Sequence, residues 1–97
     1  MIKRLVKMTF DPALCDQFDE LFERYKEKIR STHGCSHLEL WKDIDYPNVY
    51  FTYSHWDSVG HLEGYRHSTT FKEVWPMTKK LFIAPAEVWT INEKIRL

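Results

Sequence analysis

Leu14, Phe18, Leu21, Phe22, Tyr25 and Ile29 recur at three-, four- and seven-residue steps, and this single apolar stripe constrains the fold more than any other feature of the chain. A helix with one apolar face must bury it against another element, and its other faces are left to water. Cys15, three residues before Phe18, joins the stripe. Asp11 can cap this helix and Pro12 suits its first turn. Acidic side chains come early (Asp16, Asp19, Glu20, Glu23) and basic ones late (Arg24, Lys26, Lys28, Arg30), which complements the helix dipole. The helix is expected to stop near Thr32, with Gly34 as a left-handed exit.

The flanking segments alternate with period two. In Ile2–Phe10, Ile2, Arg4, Val6, Met8 and Phe10 share one face, and Lys3, Leu5, Lys7 and Thr9 the other, the pattern of a strand covered mainly on one side. Cys35–Asp43 reads as a second strand, with Cys35, His37, Glu39 and Trp41 on one face and Ser36, Leu38, Leu40 and Lys42 on the other. Turn residues follow through Asn48, and Val49–Trp56 resumes as a third strand, expected to pair with the second as an antiparallel hairpin.

Tyr53–Leu81 is dense in aromatic and histidine side chains and supplies the expected wall of any site. A helix is expected to begin at Trp56-Asp57-Ser58 with Asp57 as its cap, and to carry Leu62 and Tyr65 on its apolar side. A break is expected near His67-Ser68-Thr69, then a further helix with Phe71, Val74, Trp75, Thr78, Leu81 and Phe82 facing inward. Pro76 either kinks that helix or marks its first turn, and Ala84-Pro85 ends it. Ala86–Ile95 reads as the last strand. The order β-α-β-β-α-β predicts an α+β, ferredoxin-like domain: one antiparallel sheet with helices on one side.

Ninety-seven residues suit a single domain spanning 1–97 with a modest core. Six Phe, five Tyr and four Trp are many for that size, which fits a homodimer that completes its core between subunits. The 14 basic and 14 acidic side chains balance and no basic run exceeds a pair, so no nucleic-acid partner is expected. There is no long apolar stretch and no secretory pattern, so no membrane partner is expected. Two cysteines make no disulfide framework and fit a reducing cytoplasm. His33-Gly34-Cys35-Ser36-His37 lacks the spaced pairs of a zinc site, and the three scattered glycines form no nucleotide fingerprint, so no metal and no cofactor are expected.

The run Trp56-Asp57-Ser58, then Leu62, Tyr65, His67, Ser68 and Phe71, together with the element order, resembles the antibiotic-biosynthesis-monooxygenase-like family of the dimeric α+β barrel superfamily. The resemblance implies a homodimer whose two sheets form a barrel, with a pocket in each subunit between sheet and helices. Some members oxidise aromatic phenols to quinones with O₂ and neither metal nor flavin. The electron-rich substrate is oriented, deprotonated and shielded while O₂ reacts. Other members degrade haem, with a Trp in the second helix, a ligating His ten residues later and an Asn in the first strand. Here Tyr65 and Trp75 stand at the first two positions and Ile2–Phe10 contains no Asn, which argues against that branch.

On this resemblance the chain is expected to be a cofactor-independent monooxygenase or oxidase acting on a small aromatic: a phenol, hydroxyanthrone or quinol-like compound. The alternative is a non-catalytic ligand-binding or stress-associated dimer using the same pocket. His37, His55 or His67 would accept the phenolic proton, while Trp56, Tyr65, Trp75 and Tyr53 would contact the ring. Each has a plainer reading. Trp56 is a packing residue or a pocket wall, and Tyr65 and Trp75 are core or pocket lining. His55 is a pocket base or a surface or interface histidine, and His67 a substrate contact or a helix cap. His37 and Glu39 form a polar patch in a pocket or a solvated barrel edge. Tyr53 fills the core or the dimer seam.

Overall fold

In a computed structural model describing residues 1–97, the chain forms β1 (Ile2–Thr9), a 3₁₀ turn (Pro12–Leu14), α1 (Cys15–Arg30), β2 (Cys35–Lys42), β3 (Val49–Trp56), α2 (Val59–Arg66), α3 (Thr69–Lys79) and β4 (Glu87–Ile91). The four strands make one antiparallel sheet in the order β2-β3-β1-β4. This is the ferredoxin-like arrangement that the alternating periods predict.

Local chemistry sets most boundaries, and several differ from the sequence expectation. Asp11 caps the 3₁₀ turn, accepting from the Ala13 N–H at 2.9 Å, before α1 begins. Gly34 leaves α1 at φ 88°, a backbone state that L side chains rarely adopt. The cap of α2 is Ser58 rather than Asp57: its extended backbone aims Oγ at the His61 N–H, 3.2 Å away. Ser68 caps α3 in the same way, accepting from Phe71 N–H at 3.2 Å. Pro76 lies well inside α3, not in its first turn. That helix ends at Lys79, so Leu81 and Phe82 lie beyond it, where the Leu81 carbonyl accepts from Asp11 N–H and Phe82 bridges to Phe10. β4 is shorter than Ala86–Ile95: only Glu87–Ile91 pair with β1.

Cys35 departs from its strand pattern. A register irregularity between Cys35 and His37 breaks the alternation, so Cys35 packs in the core while His37, Glu39 and Trp41 keep the opposite face. The core sits between the sheet and the helices in two clusters. One gathers Leu21, Tyr25, Ile29, Cys35, Trp56, Leu62, Tyr65 and Val74. The other gathers Val6, Met8, Phe10, Phe18 and Tyr50, with Phe10 and Phe18 stacked at 4.3 Å. The opposite sheet face carries no helix. Trp41, Trp89 and Ile91 remain 41%, 42% and 42% exposed there.

Candidate functional site

Where the two core clusters meet, side-chain packing leaves a cavity of about 70 Å³ between sheet and helices. Arg4, Val6 and Met8 of β1 and Thr52, Ser54 and Trp56 of β3 form its sheet wall. Phe18, Tyr65, Val74, Trp75 and Thr78 are among the helical residues closing it. The strand period puts alternate residues of paired strands on this face, and the register sets Arg4 directly beside Ser54.

Trp56 is 1% exposed, donates its indole N–H to Ser54 Oγ at 3.0 Å and stacks on Tyr65 at 5.0 Å. Phe71 lies edge-on to Tyr65 at 5.3 Å and stacks with Trp75 at 5.8 Å, so it joins the three lining rings into one aromatic chain from behind the cavity wall. Thr78 donates its hydroxyl to the Val74 carbonyl at 2.8 Å, which satisfies it within α3. Burial pushes the Tyr65 phenol up to about 12, although the Arg4 charge pulls it down. Tyr65 is therefore a neutral hydroxyl at pH 7.

Of the residues singled out in the sequence, Trp56, Tyr65 and Trp75 come together at this cavity. His37, His55 and Tyr53 lie across the sheet from it, because alternation in β2 and β3 turns them to the helix-free face. There His37 is paired with Glu39, its ring lies 4.6 Å from His55, and Tyr53 stacks on Trp41 at 4.8 Å. His55 is held below the usual histidine range by burial first, then by the neighbouring charges of His37 and Lys3. His67 is the C-cap of α2, its Nδ1 2.7 Å from the Glu63 carbonyl oxygen. No histidine or carboxylate lines the cavity. No group of three His, Cys, Asp or Glu side chains is placed to hold a metal ion, and no helix is long and apolar enough to cross a membrane.

Arg4 escaped the sequence reading. It is 7% exposed, and its Nη1 is buried without a hydrogen-bond partner. The available signal was a lone charge among Ile2, Val6, Met8 and Phe10 on one strand face.

The family profile for antibiotic biosynthesis monooxygenase matches residues 1–75. No curated protein matches the sequence. Among solved structures, a conserved protein from Methanosarcina mazei superposes with a TM-score of 0.92 at 20% identity, covering 96% of this chain and 92% of that one. A protein named antibiotic biosynthesis monooxygenase gives 0.90 at 18% identity, covering 96% and 98%. A protein from Mycobacterium tuberculosis gives 0.89 at 15% identity, covering 98% and 96%. At such identities these likenesses establish the fold.

Proposed function

Since this chain belongs to the antibiotic biosynthesis monooxygenase family, we propose that it binds a small electron-rich aromatic between sheet and helices and promotes its oxidation by O₂. The observation that carries this reading is the cavity itself, apolar and walled by Trp56, Tyr65 and Trp75. Flat rings suit a flat substrate, and an interior site shields a carbanion-like intermediate from water. Oxidation of a hydroxyanthrone would consume one O₂ and release one water. The ring CH₂ becomes the quinone carbonyl and the second oxygen atom leaves as water.

Because His37, His55 and His67 do not line the cavity, this reading assigns the base to none of them. In this reading the substrate enters as its phenolate, and its proton goes to solvent. The helix-free sheet face, with Trp41, Tyr53, Trp89 and Ile91, then serves as the seam of a homodimer, and the His37–Glu39–His55 group lies within that seam. Such an apolar face on a sheet supports closure by a second copy.

Oxygen uptake with hydroxyanthrones and naphthohydroquinones, metals chelated, tests the reading. Turnover above buffer that disappears in Val74→Phe, which fills the cavity, and survives His37→Ala and His55→Ala is expected. Rates equal to buffer across the panel would refute it.

The cavity volume favours a second reading. About 70 Å³ is well below the ~300–1,000 Å³ of sites for drug-sized ligands. A three-ring substrate fits only if lining side chains such as Trp75 and Val74 move aside. If they stay, the protein is a receptor for a single-ring ligand, and saturable binding without oxygen uptake is the outcome that identifies it.

A further inference from the structure

We propose that Arg4 anchors an anionic oxygen, a carboxylate or a phenolate, on the aromatic ligand of the sheet–helix cavity. The inference rests on the cavity being a ligand site and adds the charge of that ligand.

Arg4 occupies a position where the rest of its strand face is apolar, and its side chain is more than nine-tenths buried. A guanidinium keeps its proton in proteins, so it cannot relieve its burial by neutralising itself. A buried charge of this kind is normally paired. Here Nη1 has no partner, and no ion pair engages Arg4. Glu63, whose charge reaches it, is tied to Arg66 at 3.0 Å. The Phe71 ring, 5.8 Å from Cζ, offers a weak cation–π contact and no hydrogen-bond acceptor.

The groups around Arg4 share one polarity. Arg4 is the only charged side chain lining the cavity. Tyr65 keeps its phenolic proton, which burial holds in place to about pH 12. Ser54 already accepts from Trp56, which leaves its hydroxyl proton free to donate. A fixed cation with two hydroxyl donors and no carboxylate is complementary to an oxyanion, which the planar guanidinium binds through paired N–H bonds. The aromatic wall beside it takes the ring that carries the oxyanion.

Calorimetric titration with benzoate and its neutral analogue benzamide tests the carboxylate source, and 4-nitrophenol, yellow only when ionised, tests the phenolate source. The proteins are the wild type, Arg4→Met, Arg4→Lys and Val74→Phe. The expectation is benzoate binding at least about tenfold tighter than benzamide, the scale of a hydrogen bond to a charged group. For a phenolate site, bound 4-nitrophenol is yellower than free at the same pH. Either signal supports the proposal and names the source. Both signals vanish in Arg4→Met, while Arg4→Lys keeps part of them, and it decides the matter if Arg4→Met does not fold. Arg4→Met is also expected to melt no lower than wild type, because it removes a buried unpaired charge.

Equal affinities with no colour change overturn the proposal, as does a preference that persists in Arg4→Met. If Val74→Phe abolishes binding that shows no charge preference, only the Arg4 inference fails. Binding untouched by Val74→Phe, or no binding of any probe, removes the cavity as the ligand site and the inference with it.

Discussion

Gly34→Ala is expected to be among the most destabilising single-methyl additions in this chain, for two separable reasons. The first is backbone conformation. At φ 88° a Cβ meets the following carbonyl, which costs about 1–2 kcal/mol. The second is steric. A Cβ built on Gly34 falls well inside van der Waals contact of the Cβ, Cγ and Cδ2 of His61 in the first turn of α2. His61 is not free to retreat: its Nδ1 lies 2.7 Å from Ser58 Oγ, and its ring packs edge-on against His33 at 4.9 Å. Overpacking of this kind costs about 1–3 kcal/mol. Together the two effects give about 2–5 kcal/mol. The contact matters because the Gly34 carbonyl accepts from Asp57 N–H at 2.8 Å, fixing the exit of α1 to the start of α2. Urea unfolding of wild type, Gly34→Ala, His61→Gly and the double variant forms the cycle. In the His61→Gly background the cost of Gly34→Ala falls to the backbone part alone, about 1–2 kcal/mol. A Gly34→Ala loss below about 1 kcal/mol would refute the left-handed assignment, and an equal loss in both backgrounds would refute the clash.

Other outcomes follow from the same structure. Ser58→Ala costs about 0.5–2 kcal/mol in thermal or urea unfolding, whereas Asp57→Ala costs less; the reverse order would return the α2 cap to Asp57. Tyr50 and Tyr65 both have pKa values raised from 10.0 to about 12, chiefly by burial. Since the folded state holds these protons more tightly than the unfolded chain, their stabilisation is complete below pH 10 and is lost as pH rises through 12. Tyrosinate absorbance appearing in step with unfolding near pH 12 would show this, and full ionisation of the folded protein by pH 10.5 would contradict it. Trp56→Ala costs about 3–5 kcal/mol in urea unfolding, because it empties a 1%-exposed site and leaves Ser54 without its indole donor; a loss under about 1 kcal/mol would mean that the site collapses freely. On the homodimer proposed above, Trp89→Glu puts a charge into the helix-free face that forms the seam and is expected to lower the sedimentation-equilibrium mass to that of one chain, with α-helical content unchanged; a mass equal to wild type would refute the proposed seam.

The chain's own order of periods determined the fold. Two-residue alternation in Ile2–Thr9 and Val49–Trp56 and the stripe from Phe18 to Ile29 each specify an element and the face it buries. Those faces can all be covered at once only in a sheet with helices on one side. Helical phase marks Tyr65 and Trp75 as inward-facing and both line the cavity, whereas Trp56, which lines it too, stands out in the sequence only through the family resemblance. Tertiary structure decided the rest. Whether the histidines meet those rings depends on which sheet face the helices cover, and pairing puts His37 and His55 on the other one. The irregularity beside Cys35 is a pairing event with no local sequence mark, so strict alternation assigns Cys35 to the wrong face. Arg4 looked like an ordinary exception to a strand pattern. Its meaning comes from what surrounds it in space, since only packing shows that no carboxylate pairs with the buried guanidinium.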